Sequence, residues 1–303
     1  MSTTTTTVAI QQDLPLSLRL TAYLELTKPR IAVMILVVVA TSAILGSGGY
    51  PPAWVLLHTL IGTALVAGSA CAMNQWIEQD SDAYMRRTCD RPLPSGRLGS
   101  REVFCFGLAT VAAGVGYLAL LVHWQTALFG LLTWVMYVCI YTPMKSRSTL
   151  NTVVGAIAGA LPVCIGWSAV GDVDMACLSV YLILYLWQFP HFMAIAWLYR
   201  RQYEEAGILM LPVVDPDGRR TAAQALSYAM ALLPVSLMPV ALLPVSWSYQ
   251  AGASILGLGQ LGCALWFAHA RSERSARWLL RASLIYLPAI MLLLVWGPLS
   301  WRS

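Results

Sequence analysis

Nine apolar runs, each near the length a helix needs to cross a bilayer, constrain this chain more than any other feature. They lie at approximately 29–47, 53–76, 102–121, 124–142, 152–170, 176–198, 225–245, 250–269 and 279–298. About 20 apolar residues in a helix span the hydrocarbon core. Lipid offers no partners to backbone polar groups, so only helices or closed barrels can span it. The runs are continuous and lack the alternation of barrel strands. The expected fold class is therefore an all-α integral membrane protein with nine transmembrane helices. Of 303 residues only 11% are charged, against about 25% in soluble domains, too few to cover a water-exposed surface. The seven cysteines show no CxxC or other ligand spacing and read as packing residues.

The basic residues set the expected orientation. With the N-terminus cytoplasmic, 18 of the 19 Lys and Arg fall on the inner side, leaving only Arg302 outside, where Asp172 and Asp174 also lie. That bias is the positive-inside pattern. Residues 1–24 open on a Thr- and Gln-rich stretch without a basic start and apolar core, and are expected to be a disordered cytoplasmic tail rather than a signal peptide. Residues 25–303 are expected to form a single polytopic membrane domain. The inner connections 2–3 and 6–7 are long and hold most of the polar residues, a recurrence that hints at a pseudo-repeat.

Charge is concentrated where helix two ends, in "NQWIEQDSDAYMRRTCDRPLPSGR", residues 74–97. A helix turns about 100° per residue, so Asn74, Glu78 and Asp82 drift only about 80° around the axis. They form one line from the membrane toward the surface, and Asp80 falls off it. Oxygen donors stacked on one face suit a hard cation such as Mg²⁺, which takes one or two carboxylates and completes its shell with water and substrate phosphate. A helix end returning to water accounts for Asp80 and Asp90. It does not account for Asn74, because intramembrane polar residues point to function. Arg86, Arg87, Arg91 and Arg97 follow, and the planar guanidinium fork suits phosphate oxygens. Acids to hold a metal, with metal and arginines to hold a polyanion, describe a site for a diphosphate whose tail lies in lipid.

The same stretch resembles the UbiA superfamily of intramembrane prenyltransferases, marked by an Asn followed by acids at four-residue spacing. Three further stretches, "YTPMKSRSTLNTVVGAIAGALPVCIGW" from Tyr141, "LWQFPHFMAIAW" from Leu186 and "YEEAGILMLPVV" from Tyr203, resemble its protohaem IX farnesyltransferase (haem O synthase) branch. The resemblance implies a UbiA-type helical bundle whose polar loops 2–3 and 6–7 cap a cytosolic-side active site. It implies Mg²⁺-dependent transfer of a farnesyl group from farnesyl diphosphate to a vinyl group of haem B, giving haem O and diphosphate, in the bacterial cytoplasmic (inner) membrane. Asn74, Glu78 and Asp82 match the family's catalytic metal–diphosphate motif, and Arg86, Arg87, Arg91 and Arg97 its basic continuation. Lys145 matches the lysine of the next basic loop, with Arg147 displaced by Ser146. The superfamily carries a second acidic metal motif after helix six. Here Gln202 stands where this branch commonly has Asp, which leaves Glu204 and Glu205 as candidates. The implied partners are haem B, farnesyl diphosphate, the lipid membrane and a haem A synthase or terminal-oxidase assembly protein, with no nucleic acid.

His191 lies inside helix six beside Pro190, which is expected to bend the helix. As an ionisable residue within a span it is read as haem-binding, through iron or a propionate. Gly155, Gly159 and Ala160 read as helix-packing positions, and Asp215 to Arg220 as an ordinary turn. Two other functions stay open: a UbiA-type enzyme acting on an aromatic quinone precursor, and a polytopic transporter. A transporter calls for broken helices at mid-membrane, whereas the charge here gathers at helix ends.

Overall fold

The computed structural model describes residues 15–300, and every regular element among them is helical. Nine of these helices are long and apolar enough to cross a membrane: α1 (Pro29–Gly46), α2 (Ala53–Ile77), α3 (Ser100–Leu121), α4 (Trp124–Met144), α5 (Asn151–Ser168), α6 (Met175–Leu198), α7 (Arg219–Leu242), α8 (Trp247–Ala270) and α9 (Glu273–Trp296). The largest departures from the expected runs are the starts of α7 and α9, expected at 225 and 279 and found at Arg219 and Glu273. Hydropathy marks only the oily part of a helix, whereas its hydrogen bonds continue into polar first turns. On α9 an Arg277–Glu273 pair at 2.7 Å, one turn apart, supports that extension.

The expected disordered tail needs correction. Residues 1–14 lie outside the described residues, but Leu16–Leu26 is a helix. Its side chains explain why. Ala22 and Leu26 are buried with Ala72, Leu98 and Val103. Arg19 and Tyr23 both donate to Glu102 of α3 at 2.5 Å, and Glu25 pairs with Arg97 at 2.6 Å.

Proline and glycine shape the spans. α5 breaks at Leu161 before Pro162, and α7 loosens between Pro234 and Pro239, as expected where a backbone N–H is missing. α6 runs unbroken through Pro190. α4 carries a π-helical turn at Met136–Tyr141. α1 packs on α2, α5 and α9, and α6 packs on α5, α7 and α9, so the last span closes back against the first. Close approach is built on missing side chains. A Cβ at Gly166 of α5 would lie 2.1 Å from the Val39 carbonyl oxygen of α1, and one at Gly159 would lie 2.2 Å from Gln188 Oε1 of α6. Gln188 uses that approach to donate to the Ala156 carbonyl at 3.1 Å.

Up-and-down alternation sends loops 2–3, 4–5, 6–7 and 8–9, with the N-terminal helix, to one end of the bundle. Contacts across that basic end confirm the grouping. Leu209 N donates to the Lys145 carbonyl at 2.7 Å, Asn151 Nδ2 to the Leu209 carbonyl at 2.9 Å, and Met85 is buried with Ala196, Ile208 and Met210.

Candidate active site

The line of Asn74, Glu78 and Asp82 forms, but on two helical pieces rather than one. α2 ends at Ile77, Glu78 leaves the helix at φ −93°, ψ 7°, and a short helix resumes at Gln79–Tyr84. Two backbone bonds carry the register across the break: Glu78 N to the Asn74 carbonyl at 3.0 Å and Asp82 N to the Glu78 carbonyl at 2.8 Å. Asn74 and Asp82 are 1% and 3% exposed, Glu78 is half-buried, and Asp80 and Asp90 face outward. Four-residue spacing therefore survives the break at Glu78 because the bonds that define it are kept.

Each of the three oxygen-bearing side chains meets one basic side chain, and each base comes from a different segment. Lys28 Nζ donates to Asn74 Oδ1 at 3.0 Å. Lys145 Nζ lies 2.7 Å from Glu78 Oε1, and Arg91 Nη1 donates to Asp82 Oδ2 at 2.5 Å. Asn74 is oriented from its other side, where its Nδ2 donates to Thr142 Oγ1 at 3.2 Å, and Thr142 in turn donates to the Tyr137 carbonyl at 2.8 Å. Lys145 lies 4.7 Å above the Tyr141 ring. Burial opposes its charge, but Tyr141 and Glu78 outweigh that effect and raise its pKa.

Lys28 is the site residue that sequence reading passed over, because a lysine before a first span reads as an orientation signal. Its backbone is left-handed, at φ 48° and ψ 65°, an uncommon state for a residue with a side chain. Pro29 follows and disfavours the right-handed helical region for Lys28. The chain therefore turns sharply between the N-terminal helix and α1, and the ammonium group reaches Asn74. Burial pushes the Lys28 pKa down to about 8. The sequence signal for this turn is the Lys-Pro pair itself.

The other candidates divide. Arg87 stands 5.3 Å over the Tyr199 ring. With Glu25, Lys28, Gln75, Asp90 and Arg91 it lines a cleft of ≈ 300 Å³. Arg97 is occupied by Glu25 at 2.6 Å and the Asp90 carbonyl at 2.7 Å, so it ties the loop to the N-terminal helix. Arg86 and Arg147 are exposed, as are Glu204 and Glu205 on the short helix Arg200–Glu205. Gln202 Oε1 on that helix is buried without a hydrogen-bond partner. His191 lies apart from this cluster: its Nδ1 is 2.9 Å from Ser283 Oγ of α9, and its ring stacks on Trp187 at 5.0 Å. The expected turn at Asp215 to Arg220 is found over Asp215 to Gly218, closed by Thr221 N and Oγ1 donating to Asp215 Oδ2 at 2.8 Å each, while Arg219 and Arg220 already belong to α7.

Among the described residues no three His, Cys, Asp or Glu side chains gather as a metal cluster. A divalent cation on the helix-two line would rest on two carboxylates and one carboxamide oxygen. That all-oxygen set fits Mg²⁺, which keeps water and phosphate in its remaining positions. Glu78 Oε1 is buried with only the ion contact to Lys145 and no aligned hydrogen bond, so it retains lone pairs for such an ion.

A membrane bundle with nine candidate spans among its described residues, whose basic end gathers paired acids and bases, defines a class, and comparison with known proteins gives it a family. The chain belongs to the UbiA prenyltransferase family, which matches residues 33–300; it is a multi-pass membrane enzyme, a prenyltransferase. It is similar to curated relatives over most of its length. The protoheme IX farnesyltransferase of Solibacter usitatus (strain Ellin6076) is 44% identical over 281 residues, covering 88% of this chain and 95% of that one. The protoheme IX farnesyltransferase of Koribacter versatilis (strain Ellin345) is 40% identical over 307 residues, covering 97% and 99%. Among solved structures, a digeranylgeranylglyceryl phosphate synthase shares the fold with a TM-score of 0.80 at 15% identity, covering 93% of this chain and 99% of that one. A UbiA homolog from Archaeoglobus fulgidus bound to DMAPP and Mg²⁺ shares it with a TM-score of 0.64 at 16% identity, covering 90% and 98%.

Proposed function

We propose that this enzyme transfers the farnesyl group of farnesyl diphosphate to a vinyl group of haem B, giving haem O and releasing diphosphate. The observation that carries the donor half is the row of three base–oxygen pairs, Lys28–Asn74, Lys145–Glu78 and Arg91–Asp82, at the end of an apolar bundle. The acceptor half rests on similarity to relatives named for that reaction over most of the chain. Asn74, Glu78 and Asp82 would hold Mg²⁺, which when bound supplies positive charge against the leaving diphosphate. Lys28, Arg87, Arg91 and Lys145 bind phosphate oxygens and stabilise the charge that grows as the allylic C–O bond breaks. That electron pair leaves on diphosphate. The terminal vinyl carbon of haem supplies the pair for the new C–C bond, and water adds to the cation left on the haem side, losing a proton and leaving a hydroxyl. Charge stabilisation is the protein's main task, so no nucleophilic side chain is needed. Loop 6–7, bonded to Lys145 and Asn151 through Leu209, shields this end from water. Glu204 and Glu205 face outward and take no part in this scheme. His191, whose Nδ1 is engaged by Ser283, keeps Nε2 for haem. The loops at the basic end lie in the cytoplasm, and the bundle sits in the bacterial inner membrane.

One experiment tests both halves. Purified enzyme with Mg²⁺, farnesyl diphosphate and haem B is expected to form haem O, identified by mass, and to lose that activity on chelation. Product only with a phenolic acceptor would assign it to the aromatic branch. A parallel haem titration is expected to show weaker haem binding in His191→Ala with pyrophosphate binding unchanged, and equal haem binding would leave His191 a packing residue.

A further inference from the structure

We propose that Lys28, Lys145 and Arg91 compete with the divalent cation for the oxygens of Asn74, Glu78 and Asp82, and pass to the diphosphate as the cation takes those oxygens. The inference rests on the reading that the site takes a metal and a diphosphate. It adds how the two are coupled.

The pairing is one to one, at 3.0, 2.7 and 2.5 Å for Asn74, Glu78 and Asp82. The side chains that receive the bases are those that would hold a hard cation. A divalent ion and an ammonium or guanidinium on the same side chain repel one another and weaken each other's hold. Even at an effective dielectric constant of about 20, two unit charges about 4 Å apart repel by about 4 kcal/mol, and a divalent ion doubles that. The two cations therefore compete.

The structure gives two of the displaced bases a destination. Lys28 and Arg91 line the same ≈ 300 Å³ cleft as Arg87, so movement away from the oxygens keeps them together around one anion-sized space. Two acids also border that cleft, Glu25 and Asp90. Glu25 is already held by Arg97 at 2.6 Å, so it does not hold Lys28 or Arg91. Arg97 therefore keeps the cleft positive without touching the oxygen line. Lys28 combines a fixed backbone with a long side chain. Its left-handed turn is anchored by the N-terminal helix through Arg19 and Tyr23 on Glu102, while four methylenes let the ammonium travel.

Exchange of this kind links the two ligands. Diphosphate draws the bases off the oxygens and raises metal affinity, and by reciprocity the metal raises diphosphate affinity. It also gives a sign that a purely structural lysine does not. Removing a base frees an oxygen for the metal and removes a phosphate contact, so metal affinity rises while diphosphate affinity falls.

The test uses the full-length enzyme and two probes, Mn²⁺ alone followed by electron paramagnetic resonance, and inorganic pyrophosphate at saturating Mn²⁺ followed by calorimetry. Lys28→Met and Lys145→Met are each expected to bind Mn²⁺ about fivefold or more tightly than the parent without pyrophosphate, and pyrophosphate more weakly by a similar factor. Lys28→Arg is expected to restore both values. Unchanged or weaker Mn²⁺ binding in the folded variants would overturn the exchange, because a lysine that merely steadies Asn74 loosens the metal site when removed. If Lys28→Met fails to fold, Lys145→Met carries the same test of sign. Haem O formation with no change of sign defeats the exchange alone, whereas the expected signs with no haem O formed defeat the acceptor reading alone.

Discussion

Asp82 and Arg91 do not stand equally in their pair. The Asp82 side chain is 4% exposed and that of Arg91 24%, so the carboxylate depends on its partner far more than the guanidinium does. Arg91→Leu leaves a buried carboxylate unpaired and is expected to cost on the order of 1–3 kcal/mol. Asp82→Asn leaves an arginine that reaches water and is expected to change stability by less than about 1 kcal/mol. Activity reverses the order of importance. Asp82→Asn removes a charged oxygen from the proposed metal line and is expected to lower haem O formation about 100-fold or more. Thermal unfolding in detergent, read beside turnover, checks both. A larger loss of stability in Asp82→Asn than in Arg91→Leu would contradict the burial asymmetry. At this scale the oxygen line was legible in sequence because three residues four apart make a local pattern. Its bases were not. Lys28 and Asn74 are 46 residues apart, and no local periodicity links a residue before α1 to the end of α2.

Helices meet closely here because glycine sits where one backbone nears another. Gly166 is the sharpest case, since an added Cβ would lie 2.1 Å from the backbone oxygen of Val39. Backbone cannot swing aside as a side chain can, so α1 and α5 must separate. Gly166→Ala is expected to destabilise by about 2–4 kcal/mol through lost packing along that crossing. Gly116 of α3 is the control: nothing lies within 4 Å of its added Cβ. Gly116→Ala is therefore expected to be neutral or to stabilise by up to about 1 kcal/mol through helix propensity. Melting temperatures of the two variants in one detergent separate them. The spans themselves were legible because lipid demands apolar length and little else. Their polar ends were less so: α7 and α9 start at Arg219 and Glu273, where hydrogen bonding continues after hydropathy stops. The helix Leu16–Leu26 escaped for a related reason. It is ordered by Glu102 and Arg97, far along the chain, rather than by its own composition.

The whole molecule is polarised, and the polarity ties the chemistry to a membrane side. Eighteen of the 19 basic residues belong to the N-terminal region, loops 2–3, 4–5, 6–7 and 8–9 and the helix starts beside them, and contacts such as Leu209 to Lys145 and Arg271 to Asp217 hold those segments at one end. Translocating that end would carry nearly all of the fixed positive charge across the bilayer, so insertion is expected to retain it on the cytoplasmic side. The same residues include the proposed diphosphate site, so the charge expected to orient the protein would also place its donor site where a cytoplasmic, water-soluble headgroup arrives. A labelling experiment checks this directly. Single cysteines replacing Ser95, in loop 2–3, and Asp172, between α5 and α6, are placed in a background without native cysteines. In intact cells an impermeant thiol reagent is expected to label the Asp172→Cys variant alone, and the Ser95→Cys variant only after the membrane is opened. Labelling of Ser95→Cys from outside would invert the bundle and put the proposed donor site on the face away from the cytoplasm.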